Sequence, residues 1–471
     1  MAITTIAPEN NDRPHRVLLV SVPRTASNLL LKILNIQNQP NVLTNPKGGY
    51  FFYDAFIRSA RDNWTEKPLD QWTTEQKSEV KALIQQCFNK LEDCSNRACA
   101  EKKIMFAKEH SFWFVNPAFL TGAVDGAPTP GPEQLKEFQV SIPERYGSSQ
   151  TFSANNKTFM SDEYLRTWQV AFIIRHPALV YPSFYRALQK MSKVRMFDDD
   201  GIKGVTTTNV SMKWTRKLFD WCLEQPDESV TPLVIDANDV IHNPGAVAKF
   251  CEKVGLDPAS LQFEWNDSAR SSENWGNGAN TANAEAPESD KIVASIMYST
   301  LEESTGVVKN KAPASVDIDA EVVKWRVEFG DEIAELLEKS TRDSMSDYEI
   351  FALFLLLYLS ARKWLCPSAR EGRRVSDYHS CYPWLLVSEI IDISFTTKGL
   401  SIDFPQFPTL LIMAEPLIGM GAPYDRDYHA VEQWIAANCN QATDLTATGA
   451  SELPIIDPAL KLDFNFSTWY G

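Results

Sequence analysis

A short polar turn near the N-terminus has the residue types that hold an anion. It comprises Arg24, Thr25, Ala26, Ser27 and Asn28, after an apolar run at residues 17–20 that predicts a buried strand. Apolar residues then recur at helical spacing over 29–34, which predicts a helix. A loop between a strand and a helix start presents free N–H groups and the positive helix end to an anion. Arg24 adds a fixed cation, and Ser27 and Asn28 stand where capping side chains are expected.

Two further segments place polar residues at the ends of predicted strands. Arg175 ends the apolar run at 170–174, and Ser183 follows eight residues later, inside a predicted helix. Lys108, Glu109 and His110 follow the apolar run at 104–107. A histidine there could act as a general base, with Glu109 as the competing base. The alternatives are a structural histidine, a salt-bridged Arg175 and an ordinary polar loop at Arg24.

Composition limits the class of protein. The 471 residues exceed one ordinary core and predict two domains. A net charge of −15 argues against a general nucleic-acid surface, although it leaves room for a local basic pocket. The eight cysteines contain no C-x-x-C pair, which favours reduced thiols in a cytoplasmic protein. The strongest apolar run, at 348–360, is too short to span a membrane.

The order of predicted elements indicates an α/β fold. Further helices are predicted at 72–91, 246–254, 292–304 and 319–337, a strand at 233–236, and a polar loop at 266–289. This alternation predicts a three-layer α/β/α domain with a central parallel sheet. We expect it to cover 14–348. Residues 349–400 are expected to be an apolar helix followed by an irregular linker or translated intron sequence, and 401–471 a separate module.

The three polar segments resemble the motifs of sulfotransferases, in the family's order. The Arg24 turn resembles the P-loop-like 5′-phosphosulfate loop, although it has no glycine and is not a Walker A loop. Arg175, Pro177, Ser183 and Tyr185 match the 3′-phosphate motif R-x-P/A-x-x-x-x-x-S-x-Y, and Lys108-Glu109-His110 looks like the K-T-H element that carries the catalytic histidine. The resemblance covers roughly residues 14–348 and is closest to the sulfotransferase-like proteins of filamentous fungi.

The resemblance implies an enzyme that uses 3′-phosphoadenosine 5′-phosphosulfate (PAPS) as donor, without a metal. Residues 25–28 would hold the 5′-phosphate, and Arg24 would neutralise the leaving oxygen. Arg175 and Ser183 would bind the 3′-phosphate, and Lys108 the sulfonate. His110 would take the proton of a small-molecule hydroxyl acceptor, in fungal secondary metabolism.

Departures from the family pattern keep other functions open. Arg24 replaces the lysine of the cytosolic enzymes, and Leu29 replaces a tryptophan that stacks on adenine. Lys309 and Lys311 stand where a third phosphate-contacting loop is expected, and a solvated basic turn is the alternative. The fold could instead serve a cyclisation or elimination, or act as a non-catalytic nucleotide-binding adaptor.

The C-terminal residues 401–471 resemble a U-box, the metal-free ubiquitin-ligase module. The pattern is carried by Ile412, Pro416, Tyr424, Arg426 and Trp434. It implies a ubiquitin-conjugating enzyme as partner. The element that should read C-P-x-T-G reads L-T-A-T-G at 445–449, so the contact proline is missing and the module is expected to be degenerate.

An aromatic stretch lies between the first two motifs. Residues 50–53 read Tyr-Phe-Phe-Tyr, followed by Phe56 and Trp64. These rings could line an acceptor pocket or fill an ordinary core.

Overall fold

The structure is a computed structural model that describes most of the first 365 residues and parts of the remainder. The described residues are 15–45, 48–61, 64–121, 129–194, 202, 205–206, 209–227, 230–265, 288–313, 315–365, 392–396, 399–403 and 412–413. The chain divides into two compact units, Met1–Ala352 and Leu353–Gly471.

A parallel sheet forms the centre of the first unit. Its strands within the described residues are β1 (Arg16–Ser21), β2 (Val42–Leu43), β3 (Ile104–His110), β4 (Gln169–Ile174) and β5 (Leu233–Asp236), in the order β2-β3-β1-β4-β5. Every residue of β1 is buried, and because successive side chains point to opposite faces, both faces of the sheet are covered there. The predicted α/β class with a central parallel sheet is confirmed.

Helices connect the strands and continue beyond them. They are α1 (Ser27–Ile33), α2 (Tyr53–Arg61), α3 (Thr74–Ala100), α4 (Pro117–Thr121), α5 (Pro132–Glu137), α6 (Asp162–Leu165), α7 (Pro177–Lys193), α8 (Lys213–Leu223), α9 (Ala237–His242), α10 (Pro244–Lys253), α11 (Glu288–Glu302), α12 (Ile318–Phe329) and α13 (Asp331–Leu365). The helix expected at 72–91 starts later because Thr73 and Gln76 form a reciprocal capping box, and it ends nine residues later than expected.

The strand order places three strand ends side by side. β3 and β4 lie on either side of β1, and Ser21 is in register with His110. At the centre of the sheet, the chain therefore leaves β1 toward β2 on one side and leaves β3 toward β4 on the other side. Such a point opens a crevice at the carboxyl ends of parallel strands, where ligands bind in open α/β sheets.

A buried cation fixes the other end of β1. Arg16 is 1% exposed, and its guanidinium donates to Glu92 Oε1 at 3.0 Å and to the hydroxyl of Tyr164 at 2.5 Å. The same group lies 4.1 Å from the ring centroid of Trp168. Removing one partner from a buried ion pair typically costs about 3–5 kcal/mol, so this contact holds β1 firmly against α3 and α6.

The long helix expected at 319–337 is divided in two, and this expectation is wrong. Gly330 has φ 84° and separates α12 from α13. An L residue rarely adopts this backbone conformation, and glycine does so without steric cost. The apolar run at 348–360 falls within α13. In the described residues, no helix has both the length and the apolar character to cross a bilayer.

The second unit contains a small antiparallel sheet. Strands β6 (Asp392–Thr396), β7 (Gly399–Asp403) and β8 (Ile412–Met413) pair in that order. β6 and the first two residues of β7 lie where we expected an irregular linker, at 349–400. Apart from Ile412, the residues that carry the U-box resemblance lie outside the described residues, so this module stays a prediction.

Two glycines with positive φ provide a matched stability test. At Gly49 (φ 93°) an added Cβ would lie 2.8 Å from the backbone nitrogen of Lys108, whereas at Gly330 it would meet no atom within 4 Å. Both alanine substitutions strain the backbone, and only Gly49→Ala adds a clash. We expect Gly49→Ala to lose about 1–3 kcal/mol more unfolding free energy than Gly330→Ala, measured by urea denaturation. Equal losses would show that the Gly49 segment yields without cost.

Candidate active site

The loop between β1 and α1 turns through two left-handed residues. Arg24 has φ 71° and Ala26 φ 63°, which is uncommon for residues with a Cβ. The Thr25 hydroxyl donates to the Val22 carbonyl at 2.9 Å and closes the turn. The loop therefore uses left-handed conformations that glycine adopts most readily, without containing a glycine.

The N-terminus of α1 differs from the expected capping arrangement. Ala26 is the N-cap residue and forms no side-chain cap, while Ser27 and Asn28 are already helical. The Asn28 side chain instead accepts a hydrogen bond from the Lys108 ammonium group. Since the first helical N–H groups have no intrahelical acceptor, this end of α1 offers backbone donors at the carboxyl edge of the sheet.

Arg24 joins the loop to two other elements. Its Nε donates to the Ser183 hydroxyl of α7 at 3.1 Å, and a terminal nitrogen donates to the Met297 carbonyl of α11 at 2.8 Å. Burial, and secondarily the charge of Arg175, lowers the Arg24 pKa to about 10. Among the described residues, no carboxylate contacts Arg24.

Arg175 lies beside this group at the end of β4. Its guanidinium donates to the carbonyl of Arg24 at 2.9 Å and to that of Lys311 at 2.5 Å. The basic turn at 308–313 thus reaches Arg175 through its backbone, while the side chains of Lys309 and Lys311 are exposed. The crevice gathers two guanidinium groups, Ser183 and the uncapped end of α1.

Lys108, Glu109 and His110 are the last three residues of β3 and do not follow the strand as expected. Residues alternate between the faces of a strand, so Lys108 and His110 share one side. Lys108 is fully buried, and its ammonium nitrogen lies 4.5 Å from the ring centroid of Tyr50. Burial lowers the Lys108 pKa to about 7, so roughly half of these amines are neutral at that pH.

Glu109 faces the segment that precedes α2. Its Oε1 accepts from the backbone N–H groups of Phe51 at 2.6 Å and Phe52 at 3.1 Å. Its Oε2 is buried without a hydrogen-bond partner among the described residues. Burial raises the Glu109 pKa to about 8, against the opposing effect of these two N–H groups. The carboxyl group therefore binds the backbone of Phe51 and Phe52 and is poorly placed to act as the competing base.

His110 is enclosed by aromatic rings and bonded at both ring nitrogens. Nδ1 lies 2.9 Å from the Ser21 hydroxyl, and Nε2 lies 3.2 Å from the Tyr50 hydroxyl. The Trp113 ring centroid is 4.5 Å from that of His110. Burial, and secondarily the charge of Lys108, lowers the His110 pKa well below its ordinary value of 6.5. The imidazole is therefore neutral near pH 7, the state that a general base requires.

The structure brings together most of the residues that the sequence selected. Arg24, Ser183 and Arg175 form one contiguous group, and Lys108 contacts Asn28 of the same loop. Sequence reasoning missed the Met297 carbonyl of α11. No signal in the sequence could have identified it, because a backbone carbonyl has no residue type and lies 273 positions from Arg24.

Some rings of the aromatic stretch at residues 50–53, 56 and 64 fill the core, and others lie beside His110. Phe51, Phe52 and Trp64 are buried core residues. Tyr50 is half-buried and contacts His110, with its ring centroid 4.7 Å from that of Trp113. Within the described part of the chain, no group of three or more His, Cys, Asp or Glu side chains is arranged to hold a metal ion.

Comparison with known proteins gives a consistent family. No protein-family model matches the chain. "Sulfotransferase ppzF" of Metarhizium rileyi is 33% identical over 360 residues, which cover 74% of this chain and 96% of that protein. The protein of the same name from Metarhizium majus is 33% identical over 367 residues, which cover 75% of this chain and 98% of that protein.

Solved structures show weaker likenesses. A sulfotransferase domain from the curacin biosynthetic pathway is 14% identical, covering 62% of this chain and 99% of that one, with a TM-score of 0.25. Retinol dehydratase in complex with androsterone and inactive cofactor PAP is 12% identical, covering 71% and 82%, with a TM-score of 0.26. These TM-scores are too low to support an inference. Because a third of the aligned residues are identical to relatives that it covers almost end to end, the chain belongs to the sulfotransferase family of transferase enzymes.

Proposed function

We propose that this enzyme transfers a sulfuryl group from PAPS to the hydroxyl of a small molecule. The observation that carries the proposal is the group formed by Arg24, Arg175 and Ser183 at the carboxyl edge of the parallel sheet. Two guanidinium groups lie together there, and Arg24 is partly desolvated without a carboxylate partner among the described residues. Like charges in such a position are stabilised by a bound anion, and guanidinium groups suit phosphate and sulfate.

The donor fits this arrangement at two points. The N–H groups of residues 25–28 would hold the 5′-phosphate, since the α1 end is uncapped. Arg175 and Ser183 would bind the 3′-phosphate, which distinguishes PAPS from ATP, with Lys309 and Lys311 on the adjoining exposed turn. Donor binding would replace the direct contacts of Arg24 with Ser183 and Met297 by contacts to the nucleotide.

The transfer itself requires positioning and charge stabilisation. Sulfuryl transfer resembles phosphoryl transfer, in which a loosely bonded group passes in line between two oxygens. Arg24 would stabilise the charge that develops on the leaving oxygen, and Lys108 the sulfonate. His110, neutral near pH 7, would receive the acceptor proton. The relatives come from Metarhizium fungi, and we propose that the acceptor is a small molecule of fungal secondary metabolism.

Nucleotide binding tests the 3′-phosphate site. We expect adenosine 3′,5′-bisphosphate to raise the melting temperature, with about 2.7 kcal/mol of stabilisation at a hundredfold excess over Kd. Adenosine 5′-phosphate should bind more weakly because it cannot engage Arg175 and Ser183. Ser183→Ala should reduce the difference between the two nucleotides. Equal stabilisation by both nucleotides in the wild type would refute the 3′-site.

The role of Arg24 can be separated into binding and turnover. Charge on the leaving oxygen develops only in the transition state, so Arg24→Ala should lower kcat by roughly 10²–10³-fold. Arg24→Lys keeps the charge and should recover part of the loss. The measurement is steady-state transfer from ³⁵S-labelled PAPS to a panel of phenols and alcohols. A wild-type kcat with a raised donor KM would instead assign uniform binding to Arg24.

Proton uptake on binding tests whether Lys108 meets the donor. Its pKa of about 7 leaves it mostly neutral at pH 8, and a nearby phosphate raises that pKa. Adenosine 3′,5′-bisphosphate should therefore bind with uptake of close to one proton at pH 8 and less at pH 6. Calorimetry in buffers of different ionisation enthalpy measures this uptake. Lys108→Met should abolish it and Glu109→Gln should not, whereas unchanged uptake in Lys108→Met would assign the proton elsewhere.

A further inference from the structure

The proposed base has no free nitrogen in this structure. The Ser21 hydroxyl donates to the Glu109 carbonyl at 3.3 Å, so its oxygen accepts from His110 Nδ1–H at 2.9 Å. This pattern puts the imidazole proton on Nδ1 and leaves Nε2 as the acceptor. The Tyr50 hydroxyl, 3.2 Å away, is then the donor to Nε2.

Tyr50 lies between His110 and the start of α1. The histidine is 7% exposed, whereas Tyr50 is half-buried. The Ser27 side chain in α1 lies near the Tyr50 hydroxyl and acts to lower the Tyr50 pKa. The phenol therefore lies between the proposed donor loop and the proposed base.

The backbone around Tyr50 is fixed on both sides. Glu109 Oε1 binds the two following N–H groups, and the Asn45 side chain donates to the Tyr50 carbonyl at 2.5 Å. Gly49 accepts from the Lys108 backbone N–H at 3.0 Å through its carbonyl. These contacts hold the backbone on both sides of Tyr50 and keep its phenol over His110. Moving the phenol away would require breaking them.

We propose that Tyr50 is a catalytic residue that relays the acceptor proton to His110. This rests on the proposed function, in which His110 is the base. The acceptor O–H proton moves to Tyr50 Oη as the phenolic proton moves to His110 Nε2. The acceptor oxygen forms its bond to sulfur, and the bond from sulfur to the 5′-phosphate oxygen breaks, with its electron pair leaving on the nucleotide.

The relay explains why a well-enclosed imidazole can serve an external hydroxyl. The phenol remains neutral before and after the transfer, because it loses and gains one proton in the same step. Burial, together with the nearby Tyr298 and Glu109, raises the Tyr50 pKa well above its ordinary value, which keeps the phenol in the protonated form that the relay needs.

Comparison of Tyr50→Phe with His110→Ala tests the relay. Each should lower kcat by roughly 10²–10⁴-fold, and the double variant should lose little more, because the two groups act in one step. The affinity for adenosine 3′,5′-bisphosphate should stay within a few-fold. Tyr348→Phe is the matched control, because it removes another tyrosine hydroxyl bond, to Asp236 at 2.9 Å. It should keep the wild-type kcat with ³⁵S-labelled PAPS and the same acceptor panel.

The outcomes separate the relay from the proposed function. If Tyr50→Phe transfers as fast as the wild type or faster while His110→Ala is inactive, Tyr50 only covers the base and the relay is wrong. If His110→Ala is fully active, the proposed base is wrong and the relay fails with it. A wild-type enzyme that binds no adenosine 3′,5′-bisphosphate would refute the PAPS-dependent function itself.

A spectroscopic measurement keeps the test decisive when turnover is too slow to measure. In ¹⁵N-histidine NMR, the His110 Nε2 resonance should be that of a hydrogen-bonded, unprotonated nitrogen. It should move toward the position of a free unprotonated nitrogen in Tyr50→Phe and stay unchanged in Tyr348→Phe. An Nε2 that carries the proton, or one that ignores the loss of the Tyr50 hydroxyl, would overturn the relay.

Discussion

The left-handed backbone of Arg24 and Ala26 is the constraint on which the site depends. Each such residue with a Cβ costs of the order of 1–3 kcal/mol and persists only where its surroundings hold it. Here the Thr25 hydroxyl closes the turn, and Arg175 binds the Arg24 carbonyl. The strained turn directs the Arg24 side chain to Ser183 and begins α1 at Ala26, which forms no side-chain cap. The same backbone conformation therefore carries the strain and sets the geometry of the site.

The buried end of β3 is the second organising feature. Three titratable residues in succession are almost completely buried there, and alternation of the strand sends them to different neighbours. Burial lowers the pKa values of Lys108 and His110 and raises that of Glu109. All three groups move toward their neutral forms, which makes the site responsive to an incoming anion.

Glu109 illustrates how a functional segment can use a carboxyl group without reacting through it. Its oxygen holds two N–H groups of the turn that carries Tyr50, and this turn also needs the glycine at 49 for close approach to Lys108. Because β3 is hydrogen-bonded to the backbone of residues 49–52 at several points, these contacts set the position of Tyr50 beside His110. The same contacts separate Tyr50 from the core residues Phe51 and Phe52.

The sequence by itself determined the fold class, the family and the strand ends that carry the polar residues. Continuous apolar runs predict buried parallel strands, and polar residues at their carboxyl ends predict a shared edge, which is why Arg24, Lys108 and Arg175 could be selected. It did not reveal the break at Gly330, since helical spacing continues across it. Only the tertiary structure decided that Ala26 takes the N-cap position of α1 without a side-chain cap, that the Met297 carbonyl binds Arg24 and that Tyr50 contacts His110. These depend on backbone conformation and on contacts between residues far apart in the chain, which local pattern does not encode.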